Sequence, residues 1–347
     1  MLQPILLLIV GFVLLIKGGD WFVDGASGIA RRFHLPEILI GATVVSIGTT
    51  LPEVMVSTGA ALQGSGSIAY GNAIGSIICN TALIAALTIA IKPGPASRSS
   101  MTLPVAFFFM ATAIYCIIAY VFGTFSFTVG LVLLFTFVLY MTLTVLRMKK
   151  NMAPIERVIL EEQIGGTSEG VLESQSGEDH VVESGKNGTK DSVLIDVFML
   201  VVGAVFIAIG ADFLVDNAII IAEKVGVSEK VIGLTIVAIG TSLPEFVTAI
   251  TSLIKGHGSL SLGNIIGANL FNLVLVSGMA VTLNPFELPV SGTVFGINSS
   301  LVIDLPVMLA AMVILTVPTM IKQKLSRWQG ISLLCIYGAF LALQFVI

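Results

Sequence analysis

Two glutamates hold the chemistry that this sequence can perform. Glu53 closes the segment Gly48-Thr49-Thr50-Leu51-Pro52-Glu53, and Glu245 closes Gly240-Thr241-Ser242-Leu243-Pro244-Glu245, each inside a long apolar run. A charged side chain at the centre of a bilayer costs about 2.5 to 3.5 kcal/mol on insertion scales, so two in matching positions require a compensating role. A proline within a helix removes a donor and clashes with the carbonyl four residues earlier. It therefore frees carbonyls around Ser46 to Thr49 and around Ala238 to Thr241. Carboxylates, hydroxyls and loose carbonyls are hard oxygen ligands, and Ca2+ takes about six to eight of them. Protonated glutamates serving as hydrogen-bonding helix glue would not need the hydroxyls and the proline twice.

The elements that must position these residues are membrane helices. The 347 residues are 56% hydrophobic and 11% charged, against about 25% charged in soluble domains, which excludes an ordinary cytosolic globule. Apolar runs bounded by Gly, Pro and charge predict ten helices, at 4–24, 37–62, 68–91, 103–122, 126–147, 194–218, 229–254, 260–283, 300–321 and 328–346. Each approaches the roughly 20 residues that cross a hydrocarbon core. The amino terminus has no basic n-region or cleavage site, so its apolar run is read as the first span. A net charge of -4 with no basic stripe argues against nucleic acid as a partner. Cys79, Cys116 and Cys335 lie in apolar segments at spacings that match neither a metal site nor a disulfide framework, and read as small core residues.

The two motifs belong to an internal repeat. Gly41 to Asn80 aligns without a gap to Gly233 to Asn272 at a constant shift of 192, with 17 of 40 positions identical. Gly71, Asn72, Gly75, Ser76 and Asn80 recur as Gly263, Asn264, Gly267, Ala268 and Asn272. Ser76 and Asn80 share a helical face, and the glycines suit close helix approach. The same shift pairs Asp20 and Asp24 with Asp212 and Asp216 near helix ends, where a role in gating or ion access is open to them; Lys17 has the spacing for a local ion pair with them. Because each half has an odd number of spans, the second enters the membrane upside down. The expected fold is an all-α membrane protein of ten transmembrane helices in two inverted five-helix repeats, with its site near the midplane.

Residues 1–147 form the first repeat and 193–347 the second. The intervening 148–192 hold nine of the 21 acidic residues and too little apolar content to fold alone. This stretch reads as a solvated, flexible linker without the ligand spacing of an EF-hand. With the amino terminus outside, 14 of the 17 Lys and Arg residues fall in inner loops, which places the linker in the cytoplasm. His34, His180 and His257 stand isolated at loop positions, with no catalytic or metal role; Glu287 and Asp304 fall near the outer surface.

The doubled Gly-Thr-(Ser/Thr)-Leu-Pro-Glu and Gly-Asn-x-x-Gly-(Ser/Ala) segments resemble the two alpha repeats of the sodium/calcium exchanger family, prokaryotic type, within the calcium/cation antiporters. The resemblance implies a site formed by helices 2, 3, 7 and 8. Glu53 and Glu245 would be the shared carboxylates, with Thr49, Thr241, Thr50, Ser242, Ser76 and Asn80 as further oxygens. The carbonyls of Ser46 and Ala238 would flank sodium sites, and helices 1 and 6 would slide as a gate. This chain departs from the pattern at Ala268 and Asn272, losing a hydroxyl and a potential charge, which bears on sodium coordination and on any potassium dependence.

The expected function is therefore a plasma-membrane antiporter exchanging Na+ for Ca2+ by alternating access, K+-dependent or not, with the bilayer and these cations as its partners and no organic cofactor. A proton/calcium exchanger is the nearest alternative, since both glutamates could release protons as calcium binds. A calcium channel would need a continuous path and rings of ligands, typically from several subunits. An intramembrane enzyme finds no nucleophile and base beside a water-activating metal motif.

Overall fold

The computed structural model describes residues 2–33, 35–164, 191–224, 240, 242–290, 292–294 and 296–346. Its helices are α1 (Leu2–Arg32), α2 (Glu37–Leu62), α3 (Gly66–Ile91), α4 (Arg98–Phe122), α5 (Phe127–Ile164), α6 (Asp191–Lys224), α7 (Leu243–Ile254), α8 (Gly258–Leu283), α9 (Ser300–Lys322) and α10 (Arg327–Val346). Eight of them are long and apolar enough to cross a membrane; α7 is a shorter apolar helix. The chain is thus an all-helical, multi-pass membrane protein. Its only strands among the described residues are two-residue pairs, Thr124–Phe125 with Phe286–Glu287 and Thr293–Val294 with Ile297–Asn298.

The helix ends follow the local chemistry. Pro36 precedes α2, and a residue before proline avoids the helical region. Gly64 and Gly256, at φ 79° and 84°, turn the chain between α2 and α3 and between α7 and α8, positions that L side chains rarely tolerate. Two boundaries differ from expectation. The first helix continues from the expected 24 to Arg32, and α5 runs on to Ile164, so the start of the segment read as flexible linker is helical. Residues 165–190, most of 229–242, His34 and His180 lie outside the described residues.

α1 and α6 pack along their length through small residues. A Cβ on Gly11 would sit 2.8 Å from the Gly210 carbonyl oxygen, and one on Gly210 would sit 2.8 Å from that of Gly11. Only glycine allows this backbone approach, the usual device of close membrane-helix pairs. Arg32 of α1 also pairs with Asp196 of α6. The remaining helices surround a separate apolar core that includes Ile74, Phe108, Tyr115, Tyr140, Phe271 and Met312.

Candidate cation-binding site

Polar residues gather where α2, α3, α7 and α8 meet. α2 and α8 approach closely at glycines, since a Cβ on Gly267 would fall 2.6 Å from Ala42 Cα, and one on Gly263 2.8 Å from Ile38 Cα. The counterparts of Ile38 and Ala42 by the 192-residue shift, Lys230 and Leu234, lie outside the described residues.

Three of these helices depart from α geometry beside the candidate ligands. π-helical turns occupy Gly41–Val45, Asn80–Ala85 and Asn272–Val276. Such turns cluster at functional sites because they leave carbonyls free and re-aim side chains. Asn80 and Asn272, equivalent in the repeat, each open such a turn. The looser carbonyls in α2 have partners: Ser46 Oγ donates to the Gly41 carbonyl at 2.7 Å, and Tyr140 Oη of α5 donates to that of Ala42 at 2.9 Å.

Glu53 and Glu245 are both completely buried and stand within Coulombic reach of each other. None of their four carboxylate oxygens has a hydrogen-bond partner among the described residues, and the same holds for Thr50 Oγ1, Ser242 Oγ and both amide atoms of Asn80 and of Asn272. Native proteins satisfy nearly all buried polar groups, and a buried, unpaired charge costs several kcal/mol. This concentration of unsatisfied oxygens marks a place for a positive guest. Among the described residues no three His, Cys, Asp or Glu side chains converge; the charged groups gathered here are the two carboxylates, and the polar side chains around them are neutral.

Of the residues singled out from the sequence, Ser46, Thr49, Thr50, Ser76, Asn80, Ser242 and Asn272 are all buried. Thr49 neighbours the Glu245 side chain across the repeat boundary. Ala238 and Thr241 lie outside the described residues. Phe22, Ala204, Ile207 and Ala208 of the α1–α6 pair cover Thr49, Pro52 and Pro244, leaving a gap of about 10 Å³, close to the space one water needs.

Sequence reasoning gave no site role to Asn264, the counterpart of Asn72. Its Oδ1 accepts from Thr49 Oγ1 at 3.2 Å and lies 3.2 Å from Ser46 Oγ, whose proton goes to the Gly41 carbonyl, and so it joins the two repeats. Asn72 Nδ2 instead donates to the Glu53 carbonyl at 3.2 Å and to Ser57 Oγ at 2.8 Å. Asn269 Nδ2 donates to Thr81 Oγ1 at 2.7 Å; their repeat counterparts are Ile77 and Leu273, so no repeated signal announced this pair. Two other expectations are corrected. Asp20 and Asp24 pair with Lys255, not with Lys17, and His257 is not isolated, its Nδ1 lying 2.6 Å from Glu37 Oε1. The loop between α7 and α8 brings Lys255 and His257 to partners distant in the chain, which local spacing does not reveal.

The sequence profile described as "Sodium/calcium exchanger protein" matches residues 3–146 and 195–346. The chain is 30% identical over 377 aligned positions to the sodium/calcium exchanger MaX1 of Methanosarcina acetivorans, covering 99% of this chain and 98% of that protein. It is 32% identical to the putative antiporter CaxA of Alkalimonas amylolytica, covering 100% and 99%. A structure of the sodium-calcium exchanger NCX_Mj, soaked with 2.5 mM Na+ and 0.1 mM Ca2+, superposes with a TM-score of 0.77 at 29% identity, over 99% of this chain and 98% of that one. Other NCX_Mj structures were soaked with Sr2+.

Proposed function

The chain belongs to the sodium/calcium exchanger family of cation antiporters, and from that premise we propose that it exchanges Na+ for Ca2+ across the plasma membrane by alternating access. The observation that supports this most directly is the pair of buried carboxylates without hydrogen-bond partners. One Ca2+ cancels their combined charge of -2. In this reading Glu53 and Glu245 are the shared ligands. Thr49, Thr50, Thr241, Ser242, Ser76, Asn80 and Asn272, with the carbonyls of Ser46 and Ala238, supply neutral oxygens to Ca2+ or to the sodium ions that replace it. The ions are cargo, and no covalent step is involved.

The reading includes ten spans in two inverted repeats, with an acidic linker on the cytoplasmic side and the amino terminus outside. Two repeats of opposite orientation give equivalent access paths to the two faces. The α1–α6 pair, joined to itself more extensively than to the other helices, serves as the moving part.

Purified protein in sealed proteoliposomes tests the function. An outward sodium gradient is expected to drive 45Ca2+ uptake, and no uptake without a counter-cation gradient is expected. Uptake at full rate without any gradient of Na+, K+ or H+ contradicts an antiporter. Proton/calcium exchange is the second reading, supported by the two titratable ligands. Uptake driven equally well by a pH gradient alone would establish it, and addition of K+ tests potassium coupling.

A further inference from the structure

The internal repeat closes a pocket in one half and leaves it open in the other. In the first half α3 begins at Gly66, and a Cβ there would fall 2.4 Å from Phe286 Cγ. That ring fills the space in front of the helix, its centroid 5.6 Å from that of Phe125. Beside it Asn284 Nδ2 donates to the Ala61 carbonyl near the end of α2, at 3.1 Å. The shift of 192 relates Gly66 to Gly258, Ala69 to Ser261, Asn284 to Lys92 and Phe286 to Gly94, and the match of Pro285 with Pro93 fixes the register. Gly94 brings no ring.

In front of α8, at the place that Phe286 closes beside α3, lies a cavity of about 200 Å³. Gly94, Gly256 and Gly258 line it, and a Cβ on any of them would meet nothing within 4 Å. Ile89, Leu262, Ile265 and Leu325 supply apolar wall. Its polar lining carries one sign. Lys92 and Ser259 belong to it, and among the described residues no carboxylate does. Lys92 forms no ion pair with a described residue. The 26-residue α8 starts here. Leu260 N and Ser261 N donate to the His257 carbonyl at 3.0 and 3.2 Å, whereas Gly258 N and Ser259 N have no acceptor among the described residues. Free N–H groups at a helix start carry partial positive charge and suit anions. Ser261 is a second, independent sign: it is 3% exposed, it lines the cavity, and its hydroxyl has no hydrogen-bond partner among the described residues. Native proteins leave few such groups unpaired, so this oxygen marks a place for a ligand atom.

We propose that this cavity binds a phosphate group, held by the Lys92 ammonium, the N–H groups of Gly258 and Ser259 and the Ser261 hydroxyl. A phosphate offers three or more acceptor oxygens to these four donors, whereas a carboxylate offers two. The volume is below the roughly 300 to 1,000 Å³ of drug-sized sites, which suits a headgroup with the beginning of its chains. The apolar walls, and the place of the cavity at the ends of two long apolar helices, favour a phosphate that carries hydrocarbon, and basic pockets between membrane helices take anionic lipid headgroups. Free inorganic phosphate offers the same chemistry without the hydrocarbon. In the first half Ala69, Asn284 and Phe286 leave neither the charge nor the space.

The test uses purified full-length protein in a neutral detergent, with dihexanoyl phosphatidylglycerol, inorganic phosphate and uncharged dihexanoylglycerol as probes in titration calorimetry. A phosphate probe is expected to bind saturably at one per chain. Binding of the lipid alone identifies a headgroup as the source, and binding of inorganic phosphate identifies free phosphate. Lys92→Gln removes a charge-assisted bond and is expected to weaken binding about tenfold or more, and Ser261→Ala about fivefold. Gly94→Phe restores the ring of the other half; it is expected to abolish binding and to raise the unfolding midpoint of the ligand-free protein. Ca2+ affinity should stay within about twofold of wild type in all three variants, since neither Glu53 nor Glu245 lines the cavity. Failure of both phosphate probes to bind overturns the proposal. So does an uncharged glyceride that binds as tightly as the lipid phosphate, and so does wild-type phosphate affinity in Lys92→Gln and Gly94→Phe.

Discussion

The Lys255 ammonium stands 2.8 Å from Asp24 Oδ1, and it also reaches Asp20 Oδ1 at 3.4 Å and the Asp20 carbonyl at 3.0 Å. Among the described residues Lys255 supplies the side-chain hydrogen bonds that tie the α1–α6 pair to the other helices. The repeat places Gln63 where Lys255 stands, and Asp212 and Asp216 where Asp20 and Asp24 stand, so the corresponding position of the other half lacks the cation. The ion pair is partly exposed and is worth up to about 1 kcal/mol. Lys255→Gln is expected to shift the conformational balance toward opening on the face that carries Lys255. Half-saturating Ca2+ presented from that face should fall about two- to fivefold, with little change from the opposite face. Side-specific uptake in oriented vesicles measures both.

The carboxylate pair makes a prediction of opposite sign for stability and for binding. Glu53→Gln or Glu245→Gln removes a buried charge that lacks a partner, so the ion-free protein should become more heat-stable, by a few degrees. The same change takes a charged ligand from Ca2+, and breaking a buried charge pair costs about 3 to 5 kcal/mol. Ca2+ affinity should fall more than 100-fold, and the thermal shift produced by Ca2+ should disappear. Calorimetric binding and thermal unfolding with and without Ca2+ read the two effects.

Asn264 accepts a hydroxyl hydrogen bond from Thr49, and removing such an acceptor leaves a buried donor unsatisfied at a cost of about 1 to 3 kcal/mol. Asn264→Ala is expected to destabilise the protein by about 1 to 3 kcal/mol. It should also weaken ion binding while both glutamates remain. Unfolding midpoints compared with Ca2+ affinity measure both effects.

Gly11 and Gly210 meet backbone to backbone. Gly210→Val has no room for its side chain and is expected to separate α1 from α6, at a cost of about 1 to 3 kcal/mol, with transport lost. Leu6, exposed on α1, offers a control, since Leu6→Val should be neutral in the same flux assay.

Ala268→Ser restores the hydroxyl that Ser76 supplies in the other repeat. If this position faces a sodium ion, the half-saturating Na+ concentration should fall about two- to fivefold. An unchanged sodium dependence would mean that residue 268 touches no ion.

Much of this arrangement was legible in the residues. The bounds of α2, α3 and α9 follow from Pro36, Gly64 and the runs of apolar residues, because membrane helices declare themselves by length and composition. The paired Leu-Pro-Glu segments disclosed the carboxylates, since a buried charge repeated at a fixed shift has few uses. The π turns were not legible, because their choice over α geometry depends on tertiary partners such as the Tyr140 hydroxyl on the Ala42 carbonyl. The pairing of Lys255 was hidden for the same reason: Lys17 has the better local spacing, and chain reversal after α7 supplies the actual partner. Asn269 and Thr81 left no echo in the other repeat, and a symmetry argument passes over such pairs.

The central claim is that Glu53 and Glu245 share one cation. Crystals of the full-length protein soaked with Sr2+ and measured at its absorption edge test it most directly. One anomalous peak is expected between the two carboxylates, within about 2.8 Å of an oxygen of each, and it should weaken as Na+ replaces Sr2+ in the soak. A peak that contacts only one glutamate, or no peak at saturating Sr2+, contradicts it.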